Sequence, residues 1–537
     1  MAKTPAQRIS GCLLTMLGIA ACGYIAVNES MLADQYGFID NHLQMAIGLF
    51  LIALALEAAR RAIGWPLPLV ALLALMYGAF GQYIPGAFGH PGLPLPSMVG
   101  TLTIAEGGLW GSLTGVSVGV VAIFVIFGAV LNAGEAGQGF MNLASAVAGR
   151  LTGGAAKVAV ISSALMGSIS GSASANVAST GAITIPSMVR LRYPRSLAGA
   201  VEAVASSGGQ IMPPLMGAGA FVMVELTGTP YTQIMAAAML PAVLYFLTVW
   251  IGINAYATRH DLKPMAESER PGGKEVLITS LFFAIPFVLL LERIFNGGYT
   301  PQYAASVAIF AGLALLCLDV TLRFSLPGFA RRLSEAAVTA GRQIAVIGAI
   351  ILCASLVVGV LSLTGLGVKI TSGILSLSND MLWPALLLTA LACLILGMEV
   401  PTTAAYVICV SVAGPALISL GLEPLLAHLF VFWYALLSTI TPPVCGGVFI
   451  AAGMVGENWL KVAFKAMALG IGLYIIPLAM VANPDMIQLA FHPSAALFDA
   501  LKVAVGLGAI SYGVIAHKAL WQRGALIAAG GMLIFGF

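Results

Sequence analysis

Overlong apolar runs, broken from within by glycine, proline, serine and threonine, constrain this chain more than any other feature. Residues 158–188, 382–420 and 424–454 each exceed one bilayer crossing, which takes about 20 apolar residues. The run 197–228 is interrupted by Pro213-Pro214. Backbone that leaves the helix at membrane depth must be buried in protein or line a cavity. These four segments therefore predict re-entrant hairpins and broken helices instead of plain spans. The other apolar runs, at 9–27, 43–59, 66–84, 116–132, 234–256, 276–291, 303–318, 344–363, 462–481, 495–516 and 525–537, predict ordinary crossings. Residues 97–115, weakly apolar with Glu106 and Trp110, predict an interfacial helix, with a membrane crossing as the alternative that would disturb the charge placement.

Composition closes off other classes. Of 537 residues, 60% are hydrophobic and 8% charged, against about 25% charged in soluble domains. Such a chain cannot face water on all sides, which excludes a soluble enzyme, a disordered tail and a nucleic-acid binder. The fold class is an all-α polytopic membrane protein. The net charge of +3 carries little as a sum, but its placement is informative. With the N-terminus in the cytoplasm, the first hairpin entering from that side and the second from the opposite side, nearly every basic residue lies on cytoplasmic flanks. Of the 24 Lys and Arg, only Arg293, Lys369 and Lys502 fall elsewhere. Basic residues concentrate on that side, so the skew supports both the orientation and the two hairpins. The seven cysteines lie in apolar stretches without CxxC spacing and predict small buried hydrophobes, not a disulfide frame or a metal cluster. The stretch after Lys3–Arg8 predicts an uncleaved first helix, not a signal peptide.

Five regions follow. Residues 1–92 form N-terminal helices, 93–258 a first repeat with a cytoplasm-facing hairpin, and 259–274 a polar linker. Residues 275–460 hold further helices and a second repeat with an outward-facing hairpin, and 461–537 the C-terminal helices. The repeat rests on spacing. A polar tip, Gly167 to Asn176, precedes Ser206-Ser207-Gly208-Gly209-Gln210 and Pro213-Pro214. A second tip, Gly397 to Thr403, precedes Ser438-Thr439-Ile440-Thr441 and Pro442-Pro443. Gly171 to Pro213 is 42 residues and Gly397 to Pro442 is 45. Duplicated broken helices of opposite orientation are how inverted-repeat carriers build a site near the midplane. Freed carbonyls with Ser, Thr and Asn oxygens suit a hard cation such as sodium, and freed amides at half-helix N-termini favour anions. One small-residue patch alone would read as helix packing; two at matched spacing, each before a double proline, argue for a site.

At these residues the sequence resembles the membrane component of the tripartite ATP-independent periplasmic (TRAP) transporters, in the TAXI-type branch with small and large membrane subunits fused. The likeness is carried by Gly167–Asn176, Val201-Glu202-Ala203 through Pro214, Pro401-Thr402-Thr403-Ala404-Ala405-Tyr406, Leu425 to Phe430 and Thr441-Pro442-Pro443, with Glu57 to Gly81 similar to the small subunit. The resemblance implies an elevator symporter in a bacterial inner membrane, importing a small organic acid delivered by a periplasmic TAXI-type binding protein. It implies no ATPase and no organic cofactor, with sodium as coupling ion. Family sodium sites map onto Ser172, Ser174, Asn176 and Gly209, and onto Thr402, Thr403, Thr439 and Thr441. Substrate would lie between the tips, against Ser170, Gly171, Ser172, Gln210, Pro213, Pro214, Pro401, Thr402, Pro442 and Pro443.

Two carboxyls strain the sodium assignment. Glu202 and Glu399 lie inside the repeats, and an intramembrane carboxyl is expensive and usually functional. A glycine is more usual in the family where Glu399 stands. Either residue is a candidate proton carrier, with protons the alternative coupling ion; an interhelical hydrogen bond is the competing role. His428 is expected to pack. A binding-protein-independent dicarboxylate or citrate-type elevator carrier shares the hairpin plan. An intramembrane enzyme would need a nucleophile–base cluster; Glu399 and His428 are the only candidates, no GxSxG spacing accompanies them, and no P-loop is present. A channel would need no paired hairpins.

Overall fold

The computed structural model describes residues 5–398 and 400–536. Helices dominate, and the one β contact among the described residues is an isolated bridge between Leu318 and Phe324. Among the described residues, ten helices are long and apolar enough to cross a membrane. The all-α polytopic class expected from the apolar runs is therefore observed.

The chain divides into two compact units. The first comprises Met1–Val118, Ile344–Leu388 and Thr403–Leu420. Its core is built from Leu51, Val99, Leu102, Leu356 and Val360, all buried. The helix His42–Ile63 starts where the Asn41 side chain accepts a bond from the Gln44 amide at 2.9 Å, which satisfies a donor that has no partner within the helix. It ends on Arg60 and Arg61, both paired with Glu57 at 2.6 and 2.7 Å. Residues 97–115 are not one interfacial helix. Helix Leu95–Thr103 stops, the Trp110 indole donates to the Thr103 carbonyl at 2.6 Å, and a new helix begins at Ser112. The interruption follows from Gly107, Gly108 and Gly111: a Cβ at Gly108 would lie 2.3 Å from the Leu102 carbonyl oxygen. The cysteine expectation fails at Cys12 and Cys22, which are exposed, while Cys353, Cys393, Cys409 and Cys445 are buried. Helix Pro5–Val27 turns most of its apolar surface outward, Ile9, Leu13, Met16 and Ile19 included.

The second unit comprises Gly119–Gln343, Thr389–Thr402 and Gly421–Phe537. Residues 158–188 resolve into a hairpin of Gly154–Ser170 and Ala173–Arg190. Residues 197–228 resolve into two half-helices, Arg195–Gly208 and Gly217–Thr227. Both arms of the hairpin pack on Arg195–Gly208, which also packs on Gly446–Val455 and Trp459–Leu469. At the C-terminal end Pro493–Ile515 pairs with Leu520–Phe535, joined by Arg523 donating to the carbonyls of Gly513 and Val514 at 2.9 and 2.7 Å. Glu135 pairs there with Arg332 at 2.6 Å. Arg332 also donates to the carbonyls of Leu316, at 3.3 Å, and Leu318. Because the guanidinium is mostly buried and serves three acceptors, Arg332→Met is expected to destabilise the unit by about 1–3 kcal/mol. Thermal unfolding in detergent would register this, with little dependence on salt.

Candidate functional site

Four short breaks in helical structure supply the site. The first hairpin turns at Gly171, φ +61°, where a left-handed conformation favours glycine. Ser172 then caps the return helix by accepting from the Ala175 amide at 3.3 Å. The first broken helix leaves its regular path through the turn Gly209–Ile211 and the cis Pro213-Pro214 peptide, and restarts at Gly217, φ +63°. Residues 382–420 resolve into two helices, Leu382–Leu396 and Thr402–Ser419, separated by the second tip. Residues 424–454 form the second broken helix: Pro424–Leu436, the turn Leu437–Thr439, the cis Pro442-Pro443 peptide, then Gly446–Val455. Each break frees amides and carbonyls that helical bonding would have consumed.

These breaks close on one another within the second unit. A Cβ at Gly171 would lie 2.5 Å from the Gly217 Cα, so the first tip rests directly on the restart of the first broken helix. A Cβ at Gly167 would lie 2.3 Å from the Gly209 Cα, so the same hairpin also touches the turn. Asn176, fully buried, spans that contact by donating to the Ser163 carbonyl at 2.9 Å and accepting from Thr180 at 3.4 Å. A Cβ at Gly397 would lie 3.1 Å from Ser438 Oγ, a matching approach of the second tip to the second break.

Two bonds then tie the repeats together. Gln210 donates through Nε2 to the Gly171 carbonyl at 3.0 Å and accepts at Oε1 from the Thr402 hydroxyl at 3.0 Å. One amide side chain thus spans the first tip and the second. The Ser207 and Thr439 hydroxyls lie 2.8 Å apart, joining the two breaks. The prolines of the first break are buried; Pro442 is half-buried and Pro443 exposed.

The other residues singled out from the sequence are placed as follows. Ser170 Oγ is buried without a hydrogen-bond partner among the described residues. Ser174 is exposed, and Pro401, Thr402 and Thr403 are half-buried. Thr441 reaches the Tyr474 hydroxyl at 2.6 Å, and Tyr434 donates to the Tyr474 carbonyl at 2.8 Å. His428 is buried. Glu399 lies outside the described residues.

Sequence reasoning assigned no role to Ser163, Ser207, Thr180, Thr184, Ser206 or Tyr474. Ser206 and Ser207 sit in the polar stretch before Gln210, and that stretch was their only signal. Glu202 is 0% exposed. Its carboxyl meets four hydroxyls: Thr180 and Thr184 on short bonds, Ser206 at 3.1 Å and Ser163 at 3.4 Å. No ion pair reaches it among the described residues.

The arrangement offers helix N-termini at Ala173, Gly217, Thr402 and Gly446 beside hydroxyl, carbonyl and amide oxygens. Amides at such termini favour anions, and oxygens so grouped suit a hard cation.

Comparison with known proteins identifies the family. Residues 50–495 match the family described as "Tripartite ATP-independent periplasmic transporter, DctM component". Among curated relatives, the isethionate TRAP transporter permease protein DctMQ of Oleidesulfovibrio alaskensis is 26% identical over 68% of this chain and 57% of its own length. This chain therefore spans little more than half of that relative. The C4-dicarboxylate TRAP transporter large permease protein DctM of Pseudomonas aeruginosa is 26% identical over 63% of this chain and 77% of its own. The ectoine/5-hydroxyectoine TRAP transporter large permease protein UehC of Ruegeria pomeroyi is 23% identical over 78% and 96%. The match begins at residue 50, within the stretch that the sequence assigns to a small-subunit-like part. The family match covers well over half of the chain, and the chain belongs to the DctM family of TRAP transporter large permeases.

Proposed function

We propose that this chain is the fused, TAXI-type membrane component of a TRAP symporter in a bacterial inner membrane, its N-terminus cytoplasmic. It imports a small organic acid received from a periplasmic substrate-binding protein. The observation that carries this reading is Gln210, which bridges the tips of both hairpins at 3.0 Å on each side. A carboxylate in that place would meet half-helix N-termini and hydroxyls, with no fixed cation required. Asn176 with the Gly209 turn, and Thr439 with its neighbours, are the proposed sodium positions; Glu202 and Glu399 are the proposed sites if a proton is the coupling ion. Transport proceeds by an elevator motion of the hairpins and broken helices. The relatives' substrates, named as isethionate, C4-dicarboxylates and ectoines, support a small polar or acidic solute. Apolar helices Pro5–Val27 and Pro66–Phe80 outside the hairpin region support the fused small-subunit part.

The test is uptake into proteoliposomes holding the purified chain, with the binding protein added outside and sodium and pH varied independently. Uptake is expected only with the binding protein and only with a cation gradient. Full uptake without the binding protein would favour the dicarboxylate or citrate-type carrier.

A further inference from the structure

A cavity of roughly 360 Å³ lies beside the first hairpin, with Asn142, Ser145, Thr184, Ser187, Arg190 and Glu275 in its wall. Arg270 also lines it, and the basic residues Arg150, Lys157 and Lys274 flank these segments in the chain. On the positive-inside rule this end faces the cytoplasm. The cavity therefore reaches inward from the cytoplasmic side along the helix Ala173–Arg190.

Its wall touches the shell of Glu202. Thr184, a wall residue, has two acceptors within reach of its single hydroxyl proton, the Glu202 carboxyl at Oε2 and the Thr180 carbonyl at 3.0 Å. Ser187 stands three residues further along the same helix, on the same face. Its hydroxyl is buried without a partner among the described residues. Two hydroxyl residues of one helix face, Ser187 and Thr184, thus line the cavity, and Thr184 also reaches the carboxyl that is sealed from solvent.

The shell around Glu202 serves either protonation state. A hydroxyl has one proton and two acceptor lone pairs. Thr180 can send its proton to the Asn176 carbonyl at 2.8 Å, and Thr184 to the Thr180 carbonyl. Either oxygen then accepts from a protonated carboxyl, or donates to an ionised one, without a side chain moving. A carboxylate kept permanently charged would be expected to have a cationic partner. The neighbouring elements supply none. On Gly154–Ser170, Lys157 lies over the Trp250 ring at 4.9 Å. Gly446–Val455 carries no titratable side chain. On Trp459–Leu469, Lys461 faces Glu457 at 3.5 Å and Lys465 donates to Ser196 at 2.8 Å. On Tyr231–His260, Tyr245 donates to the Val204 carbonyl at 2.8 Å. At the cavity, Arg190 pairs with Glu269 at 3.5 Å, Arg270 donates to the Met265 carbonyl at 2.6 Å, and Glu275 accepts from Asn142 at 3.3 Å.

We propose that this cavity is the cytoplasmic port of a proton path to Glu202, with Thr184 as the relay; the proposal rests on the transport reading above. On release the Glu202 O–H bond breaks, its proton passes to the Thr184 oxygen, and the Thr184 proton passes to cavity water. The net change is one carboxylic acid and one water becoming one carboxylate and one hydronium, with nothing oxidised or reduced. Thr184 is a positioning and relay residue; Glu202 holds the proton.

Two measurements test this. The first needs no substrate: infrared difference spectra of the purified chain between alkaline and acid buffer. The wild type is expected to show a carboxylic-acid carbonyl band that disappears in Glu202→Gln. The band should form at least about tenfold more slowly after a pH jump in Thr184→Val, the equivalent of one pH unit, and at the wild-type rate in Thr184→Ser. The second is uptake with the binding protein under an imposed gradient of about one pH unit and a clamped membrane potential. One proton per substrate allows about tenfold accumulation; Glu202→Gln is expected to accumulate none, and Thr184→Ser to recover what Thr184→Val loses. A band that persists in Glu202→Gln would overturn the proposal. So would wild-type accumulation in that variant, or equal behaviour of the valine and serine variants. Wild-type protein showing the band but no uptake with the binding protein would instead refute the transport reading.

Discussion

Gln210→Leu is expected to cut binding-protein-dependent uptake by about 100-fold while leaving the protein folded. The substitution keeps the side chain's bulk and removes two hydrogen bonds, to the Gly171 carbonyl and from the Thr402 hydroxyl, each at 3.0 Å. A bond lost at a buried position costs about 1–3 kcal/mol. About 3 kcal/mol in total, at 1.4 kcal/mol per tenfold, corresponds to the stated loss. The effect should fall on transport, because these bonds fix two tips against each other and do not hold a core together. Gln210→Glu separates shape from bonding. It keeps an acceptor for Thr402 but faces the Gly171 carbonyl with oxygen in place of N–H, and should be as defective as the leucine variant. Initial uptake rates, with thermal melting as the control, decide the matter. Wild-type uptake in Gln210→Leu would remove this bridge from the site.

Gly167→Val is expected to abolish uptake by preventing the first hairpin from closing. A Cβ there would lie 2.3 Å from the Gly209 Cα and 2.9 Å from Asn176 Nδ2. The nearer obstacle is backbone, which cannot swing aside as a side-chain end would. Overpacking typically costs about 1–3 kcal/mol, and here two backbones must part, pulling Asn176 from the Ser163 carbonyl. Gly348→Ala provides the contrast. A Cβ at Gly348 meets nothing within 4 Å, and alanine in a helix interior is favoured over glycine by about 1 kcal/mol. Expression and melting temperature should fall for the first variant and hold for the second. A Gly167→Val protein with normal melting and uptake would show that the hairpin does not depend on this contact.

The hairpins and breaks were legible in the sequence because lipid leaves a chain few options. Glycine, proline and hydroxyl residues inside an overlong apolar run imply backbone that must be satisfied off the helical path, and residues 158–188 and 197–228 turn where such residues cluster. The hydroxyl shell of Glu202 was not legible. Ser163, Thr180 and Thr184 sit in apolar helices, where a lone hydroxyl reads equally as packing, and their convergence depends on how three helices cross. Tyr474 lies 33 residues beyond Thr441, and no local pattern links them. Residues 97–115 look like one interfacial helix by average polarity, which conceals three glycines, at 107, 108 and 111, that end one helix before another begins.

The helix starts at Ala173, Gly217, Thr402 and Gly446 have a consequence for how this permease can diversify. If peptide amides provide the attraction for a negatively charged guest, that attraction is written in the main chain and survives nearly any exchange of side chains that preserves the turns. Side chains nearby are then free to vary, sorting guests by size and shape while the electrostatic grip stays constant. One scaffold of this design could serve chemically diverse acids without ever acquiring an arginine or lysine to hold them.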